Sequence, residues 1–175
     1  MIKKVIFIVL GLLIVGGGVL FAINGKDTYE ADKYSANLSD SLQIGSIVSF
    51  TLPDQFNKSH TSNKELKTII LSFTKATGHL VKKYLTEQDV DYLPKRNAFF
   101  VADISPMPVV IRNTFALPDL KKSSFSVLLI YDKKIATKFK NEEKIDKIAV
   151  ISLENGVIKE IKYISTKEEL KVVLN

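Results

Sequence analysis

The sequence predicts an α/β domain built on a mixed, mainly parallel sheet. Two continuous apolar runs, at residues 66–73 and 98–104, are typical of strands buried on both faces of a parallel sheet. An amphipathic helix at 77–86 separates them, so the three segments predict a right-handed strand–helix–strand unit. An antiparallel hairpin at 147–164 follows near the C-terminus and makes the predicted sheet mixed.

The chain divides into three predicted parts. Residues 1–24 are an apolar segment, residues 25–43 are a polar tether whose apolar residues follow no period, and residues 44–175 form the folded domain. Within the domain, a loosely alternating strand at 47–52 precedes a loop at 54–65. A domain of about 130 residues can bury a stable core without disulfides.

Local signals set the helix and strand boundaries in the middle of the domain. Thr77 is a suitable N-cap for the helix between the two apolar strands. The pair Ser105-Pro106, a capping residue followed by proline, predicts a helix over about 106–116. A further apolar strand is expected at 125–131.

The C-terminal third carries the clearest signals. Asn155-Gly156 is a strong type I′ hairpin sequence between strands predicted at 147–153 and 157–164. Thr166 and Glu169 have the spacing of a capping box and predict the start of a final helix.

The N-terminal segment predicts a membrane anchor. The run from Val5 to Ile23 is uncharged and, as a helix, about 28 Å long, close to the thickness of a bilayer core. Lys3 and Lys4 precede it, so the N-terminus is expected inside and the domain in the periplasm or extracytoplasmic space. A cleaved signal peptide is the alternative, but the site after Ala22 fits only half of the small-x-small pattern.

Composition excludes several classes of function. The chain has no cysteine, which excludes thiol nucleophiles, disulfides and thiolate metal sites, and its two histidines do not favour a metal centre. The net charge is +6, but the basic residues are almost all lysines interleaved with acids, and Arg96 and Arg112 are the two arginines. This pattern is typical of a solvated surface rather than a nucleic-acid interface.

The order of the elements resembles the thioredoxin fold. Residues 148–174 are similar to the hairpin and last helix of thioredoxins. The start of the domain resembles the exported, peroxiredoxin-like branch: Gly45 opens a strand, a Leu-Pro-Asp-Gln-Phe turn follows at 52–56, and Lys67 precedes the first core strand. The resemblance covers about residues 44–174. It implies a thioredoxin-like three-layer fold with a mixed central sheet, preceded here by one N-terminal transmembrane helix.

Two departures from the family pattern bear on function. In thioredoxins the first core strand leads into a Cys-x-x-Cys motif at a helix N-terminus, whereas residues 74–79 read Thr-Lys-Ala-Thr-Gly-His. The family's cis-proline should fall near residues 146–148, where the sequence has no proline. Disulfide exchange and thiol-peroxidase activity are therefore not expected, because both require a thiolate.

The degenerate active-site position remains a candidate ligand site. It lies beyond the carboxyl ends of parallel strands, where α/β sheets usually bind ligands, and at a helix N-terminus, which favours anions. The candidate ligand-binding residues are Lys75, Thr77, Gly78, His79 and Asp103.

We expect a membrane-tethered extracytoplasmic binding or assembly module without thiol redox activity, cofactor or metal. Its possible protein partner would contact the proline-rich segment 105–120, with candidate surface residues Met107, Arg112 and Phe115. One alternative is an enzyme that uses His79 and Asp103 as acid and base. The other is a metal carrier that uses His60 and His79.

Overall fold

The computed structural model describes residues 24–174 and five single positions before them, Val5, Ile6, Val9, Gly16 and Gly18. The predicted membrane anchor thus lies almost entirely outside the described residues. Within the described part of the chain, no helix is long and apolar enough to cross a bilayer.

The strands of the described region form two sheets. They are β1 (Ser35–Leu38), β2 (Val48–Pro53), β3 (Ser59–Thr61), β4 (Thr68–Ser72), β5 (Ala98–Asp103), β6 (Val127–Ile130), β7 (Ile148–Glu154) and β8 (Val157–Ile164). The smaller sheet has the order β1-β2-β3, and all its strands are antiparallel. The central sheet has the order β6-β5-β4-β7-β8. In it β4, β5 and β6 are parallel, while β7 and β8 are antiparallel to their neighbours. The prediction of a mixed sheet is confirmed.

The helices connect and cover these strands. They are α1 (Lys75–Thr86), α2 (Tyr92–Lys95), the helical segment α3 at 109–120, α4 (Lys133–Phe139) and α5 (Lys167–Leu174). Two short 3₁₀ turns, Ala31–Lys33 and Glu142–Lys144, complete the described elements.

The core occupies both faces of the central sheet. On one face, Phe50 and Leu52 of β2 and Phe139 of α4 pack against the sheet. On the other face, Val81 of α1 and Leu170 of α5 belong to a second buried cluster. Strands β4, β5 and β6 are apolar along nearly their whole length because side chains on both of their faces are buried.

The segment predicted as a polar tether is partly folded. Residues 35–38 form β1, which pairs with β2, and Ala36 is buried in the core. Four residues are too few to show an alternating pattern, so this edge strand has no recognisable signal in the sequence. The predicted loop at 54–65 likewise contains a short strand, β3, at its centre.

The helix α1 starts earlier than its sequence suggests. Thr74, not Thr77, is the N-cap: its hydroxyl accepts a hydrogen bond from the Thr77 backbone N–H, and the Thr77 hydroxyl accepts one from the Thr74 N–H. The two threonines form a reciprocal capping box, with Thr77 in the position that Glu or Gln usually occupies.

The prediction for residues 106–116 is wrong at both ends. The helical segment α3 starts after Pro108 and consists of Val109–Ile111, a π-helix at Arg112–Ala116 and a last turn at Leu117–Leu120. Pro118 does not stop it, because proline needs no N–H hydrogen bond in the first turn of a helical stretch, and a new turn starts at Leu117 after the π-helix.

The C-terminal predictions are confirmed. Asn155 and Gly156 have φ angles of 52° and 81°, the left-handed values that a type I′ hairpin requires. Glu169 accepts hydrogen bonds from the backbone N–H groups of Ser165 and Thr166, and the Thr166 hydroxyl accepts one from the Glu169 N–H. The helix α4, which the sequence analysis did not predict, starts at the N-cap Asp132.

Candidate functional site

The edge at the carboxyl ends of β4 and β5 contains a small cleft of about 80 Å³. Four of the five predicted ligand-binding residues line it, namely Lys75, Gly78, His79 and Asp103. The partner-surface candidate Met107 lines it as well. The carboxyl ends of the strands therefore bring these predicted residues together, but the space between them holds at most a few water molecules.

Thr77, the fifth predicted ligand-binding residue, does not line this cleft. It is buried, and its hydroxyl also donates to the Thr74 backbone carbonyl at 3.0 Å. Its hydrogen-bonding capacity is therefore used inside the cap of α1, and its side chain stabilises the helix start instead of presenting a group to a ligand.

Asp103 is bound to a residue that the sequence did not suggest. Its side chain is fully buried, and Oδ1 accepts a hydrogen bond from the Ser105 backbone N–H at 2.9 Å. The Lys140 Nζ lies 3.2 Å from the other oxygen, Oδ2, which has no well-oriented hydrogen-bond donor. We regard this contact as an ion pair of imperfect hydrogen-bond geometry, because the distance alone places a full positive charge against the carboxylate.

His79 and Asp103 do not form a catalytic pair. His79 is exposed on α1, whereas the carboxylate of Asp103 is paired with Lys140 beneath the surface. A carboxylate that positions a histidine must hydrogen-bond its ring, and no such bond occurs between these two residues of the described chain.

An ion pair bridges the two helices that border the cleft. Lys82 of α1 donates from Nζ to the Asp119 carboxylate at 2.6 Å and to the Asp119 backbone carbonyl at 3.0 Å. The hydrogen bond from Lys82 holds the pKa of Asp119 below its ordinary value. This contact joins α1 to the end of α3.

Gly78 is an ordinary helical residue. A Cβ at this position would lie 3.4 Å from the Ser72 hydroxyl oxygen, which is close to normal contact distance. The backbone of α1 therefore does not need glycine here, and nothing in the local geometry points to a ligand pressed against it.

The prediction that Arg112 belongs to an exposed partner surface is wrong. Its side chain is 5% exposed, and its Nη2 donates to the Asp27 carboxylate at 2.6 Å. The guanidinium group also lies over the ring of Tyr131, 4.7 Å from the ring centre. Arg112 therefore holds the N-terminal linker against the domain and is not available to a partner.

The same linker is fixed by an aromatic stack. The ring of Tyr29 stacks on Tyr34 and on Tyr131, with centroid distances of 5.6 and 4.8 Å. Burial raises the pKa of Tyr131 to about 12. In addition, the Asn113 side-chain amide donates to the backbone carbonyl of Asn24 at 2.9 Å, so the linker is docked from its first described residue.

An exposed apolar ridge lies on the same helical segment. Ile111 and Phe115, four residues apart on α3, are 47% and 64% exposed. Residues at this spacing lie on one face of a helix, so both side chains are exposed on the same side of α3, and we call this pair the apolar ridge. Phe115 is the member of the predicted partner surface that is accessible to another molecule.

The two histidines are at opposite ends of the sheet. His60 lines a cavity at the amino end of β5, whereas His79 lines the cleft at its carboxyl end. They cannot share a metal ion, which contradicts the alternative of a carrier using both. The described residues contain no cluster of three or more His, Asp or Glu side chains that could hold a metal.

Two features were not predicted from sequence, namely the docked linker and the pairing of Lys140 with Asp103. Both depend on contacts between residues far apart in the chain, and neither Tyr29 nor Lys140 stands out in its local sequence. The buried charge of Asp103 was a usable signal, because a buried carboxylate requires a cationic or hydrogen-bonding partner.

Comparisons with known proteins establish the fold but no narrower relationship. No protein-family model and no curated protein matches the sequence. Among solved structures, the peroxidoxin BcpB from Mycobacterium tuberculosis superposes with a TM-score of 0.51 at 14% identity, covering 75% of this chain and 94% of that one. StoA from Bacillus subtilis superposes with a TM-score of 0.51 at 15% identity, covering 73% of this chain and 96% of that one. The described domain therefore has a thioredoxin-like fold, in a chain that contains no cysteine.

Proposed function

We propose that this protein is a membrane-anchored, extracytoplasmic binding domain without thiol redox activity, and that it binds a protein partner through the apolar ridge. The observation that carries the proposal is the exposure of Ile111 and Phe115 beside a former active-site edge whose polar groups are bound to each other. An edge of this kind supports recognition, not covalent chemistry.

The state of the edge argues against catalysis. Thr77 is engaged in the helix cap, Asp103 is paired with Lys140, and Asp119 is paired with Lys82. Without a thiol, the remaining exposed groups are the side chains of Lys75 and His79. The carboxylate of Asp119 lies near His79, but it is already hydrogen-bonded to Lys82.

The ridge has the character of a protein-binding surface. A phenylalanine that is 64% exposed leaves most of its ring in water, at a free-energy cost that burial against a partner would remove. Aromatic side chains dominate the binding energy of many protein interfaces. The adjacent π-helix at Arg112–Ala116 is consistent with this role, because such bulges often occur at functional sites.

The linker supports a fixed position of the ridge relative to the anchor. The run of uncharged residues that we propose as the anchor ends at Ile23, and Asn24 is already bound to Asn113 of α3. The helical segment that carries the ridge would therefore lie next to the membrane surface. A membrane protein with an exposed apolar patch on the same side is the kind of partner that this position favours.

Anchoring and partner binding are tested by one set of variants. Full-length protein is crosslinked in cells, purified from membranes and analysed by mass spectrometry, as wild type, Phe115→Ser and Val172→Ser. Val172 is a matched control, because it is an apolar residue of α5 that is 79% exposed. We expect one dominant partner that is lost in Phe115→Ser and retained in Val172→Ser.

Two results would contradict the proposal in different ways. A partner that Phe115→Ser retains would contradict binding through the ridge. Recovery of the full-length protein in the soluble fraction, or no change in gel mobility after deletion of residues 1–22, would contradict the uncleaved anchor.

A further inference from the structure

A second, larger cavity lies away from the former active site. Its volume is about 430 Å³, within the range of small-molecule sites. It is lined by the residues that open two parallel strands, Ala98 of β5 and Phe125 just before β6. The cavity is thus at the amino ends of the strands, opposite the cleft described above.

The wall of the cavity is mainly apolar, with a polar group at one side. Leu66, Leu93, Phe99 and Phe125 supply apolar surface. His60 is the one ionisable side chain among the described residues that line it. A cation would therefore meet no carboxylate, whereas an apolar molecule with a hydrogen-bonding head group would find surface for both of its parts.

His60 is held by a buried carboxylate. Its Nε2 lies 2.9 Å from Oδ2 of Asp54, whose side chain is 3% exposed. The other oxygen of Asp54 accepts hydrogen bonds from the backbone N–H groups of Phe56 and Lys58. Burial opposes ionisation, but these three hydrogen bonds outweigh it and keep the pKa of Asp54 below its ordinary value.

The state of Asp54 determines what His60 offers to a ligand. Because the carboxylate is ionised, it accepts a hydrogen bond from the Nε2–H group, and Nδ1 remains as the second ring nitrogen for binding. A carboxylic acid ligand can donate its acidic proton in a hydrogen bond to Nδ1, so that the ring would lie between two carboxyl groups.

Other polar side chains of the wall can donate hydrogen bonds to a ligand. The Oδ1 of Asn63 already accepts from the backbone N–H groups of Glu65 and Leu66, so its side chain can offer a ligand its NH₂ group. Ser124 and Ser126 add hydroxyl groups, and Asn97 adds a side-chain amide. Each of these groups can donate a hydrogen bond to a carboxyl oxygen, which suits an acidic head group.

The position of the wall is fixed in advance. The buried side chain of Gln55 donates to the Phe125 carbonyl at 2.8 Å and accepts from the Val127 N–H at 2.8 Å. The ring of Phe99 contacts His60 edge to face, with centroids 5.8 Å apart. The cavity thus exists before a ligand enters, which lowers the cost of binding.

We propose that this cavity binds a small apolar carboxylic acid, with the acid group on His60 and Asn63 and the apolar body against Phe99 and Phe125. The cavity does not include the residues of the apolar ridge, so the test of ligand binding is independent of the test of partner binding.

The test uses the fact that the chain has two histidines. Full-length protein in dodecyl maltoside is labelled with [¹³Cε1]histidine, and the two ring signals are assigned with His60→Gln and His79→Gln. The protein is titrated with 4-phenylbutyrate, with hexanoate and with 4-phenylbutanamide as the neutral analogue. We expect a saturable shift of the His60 signal with the acids, an unchanged His79 signal, and binding of the amide that is weaker by about tenfold or more.

Variants at the rim provide a second test that does not risk the fold. Val90 lines the cavity and is 67% exposed, so it tolerates a charge. We expect Val90→Glu to weaken binding of 4-phenylbutyrate severalfold and Val90→Lys to leave it equal or tighter. The proposal is overturned if neither acid shifts the His60 signal, if the amide binds as well as the acid, or if the two Val90 variants bind the acid equally.

Discussion

The pairing of Lys140 with Asp103 predicts a large coupling energy between these two residues. In Lys140→Met, the carboxylate of Asp103 stays fully buried and loses its counter-ion at 3.2 Å. Breaking a buried pair by removing one partner costs about 3–5 kcal/mol, and because Lys140 is 18% exposed we expect about 2–3 kcal/mol. Asp103→Asn retains the acceptor for the Ser105 N–H and lets Lys140 turn to solvent, so we expect a loss of about 1 kcal/mol.

The double variant separates this explanation from simple loss of packing. With Asn at 103 and Met at 140 no buried charge remains, so the stability of the double variant should match that of Asp103→Asn alone, which corresponds to a coupling energy of about 2–3 kcal/mol. Urea unfolding of the full-length protein in dodecyl maltoside, followed by circular dichroism at pH 7, measures all four proteins. Additive losses in the single variants, within about 0.5 kcal/mol, would refute the account of Asp103 as a structural residue of an ion pair.

Three further predictions concern local features. Thr74→Ala should lower the free energy of unfolding by about 1 kcal/mol through loss of the N-cap, whereas Thr74→Ser should leave it nearly unchanged; equal losses would contradict the capping role. Gly78→Ala should stabilise the protein by up to about 1 kcal/mol in urea unfolding, because the position is helical and the new Cβ has room beside Ser72; a clear loss would show that the backbone needs glycine there. Spectrophotometric titration should show a tyrosine ionising near pH 12 that is missing in Tyr131→Phe. Since the folded state holds this proton above the ordinary tyrosine pKa of 10.0, the associated stability is complete below about pH 10 and is lost as the pH rises towards 12; an unchanged titration curve in Tyr131→Phe would contradict the burial of that ring.

The parts of the fold that could be predicted are those with strong local signals. The apolar runs around β4 and β5 predicted buried parallel strands, because a strand that is buried on both faces has a continuous apolar sequence instead of an alternating one. Asn155-Gly156 predicted the hairpin, because few residues adopt the two left-handed conformations that its turn needs.

Contacts between segments far apart in the chain could not be predicted from local sequence patterns. The stack of Tyr29 on Tyr131 joins the linker to the end of β6, and neither residue has a local pattern that indicates the other. The continuation of α3 past Pro118 depends on the π-helix before it, which allows a new turn to start at a position that tolerates proline. The linker was therefore interpreted as a tether, and the helix over 106–116 was predicted to begin and end earlier than α3 does.

The candidate site was predicted in its location and not in its chemistry. The rule that strand carboxyl ends converge placed Asp103 and His79 at one cleft correctly. The same rule could not show that Asp103 pairs with Lys140 and not with His79. Lys140 follows α4, and α4 itself was not predicted. His60 was placed in the 54–65 loop, whereas it lies in the short strand β3, and its carboxylate partner, Asp54, became apparent only from the folded turn.

The central claim, that the apolar ridge contacts a partner, is tested most directly by site-specific photo-crosslinking in living cells. A photoreactive phenylalanine analogue is incorporated at position 115, or at position 172 as the exposed control on α5. The account predicts one discrete crosslinked membrane product from position 115 and none of that mass from position 172. Identical products from both positions, or no product from 115, would contradict it.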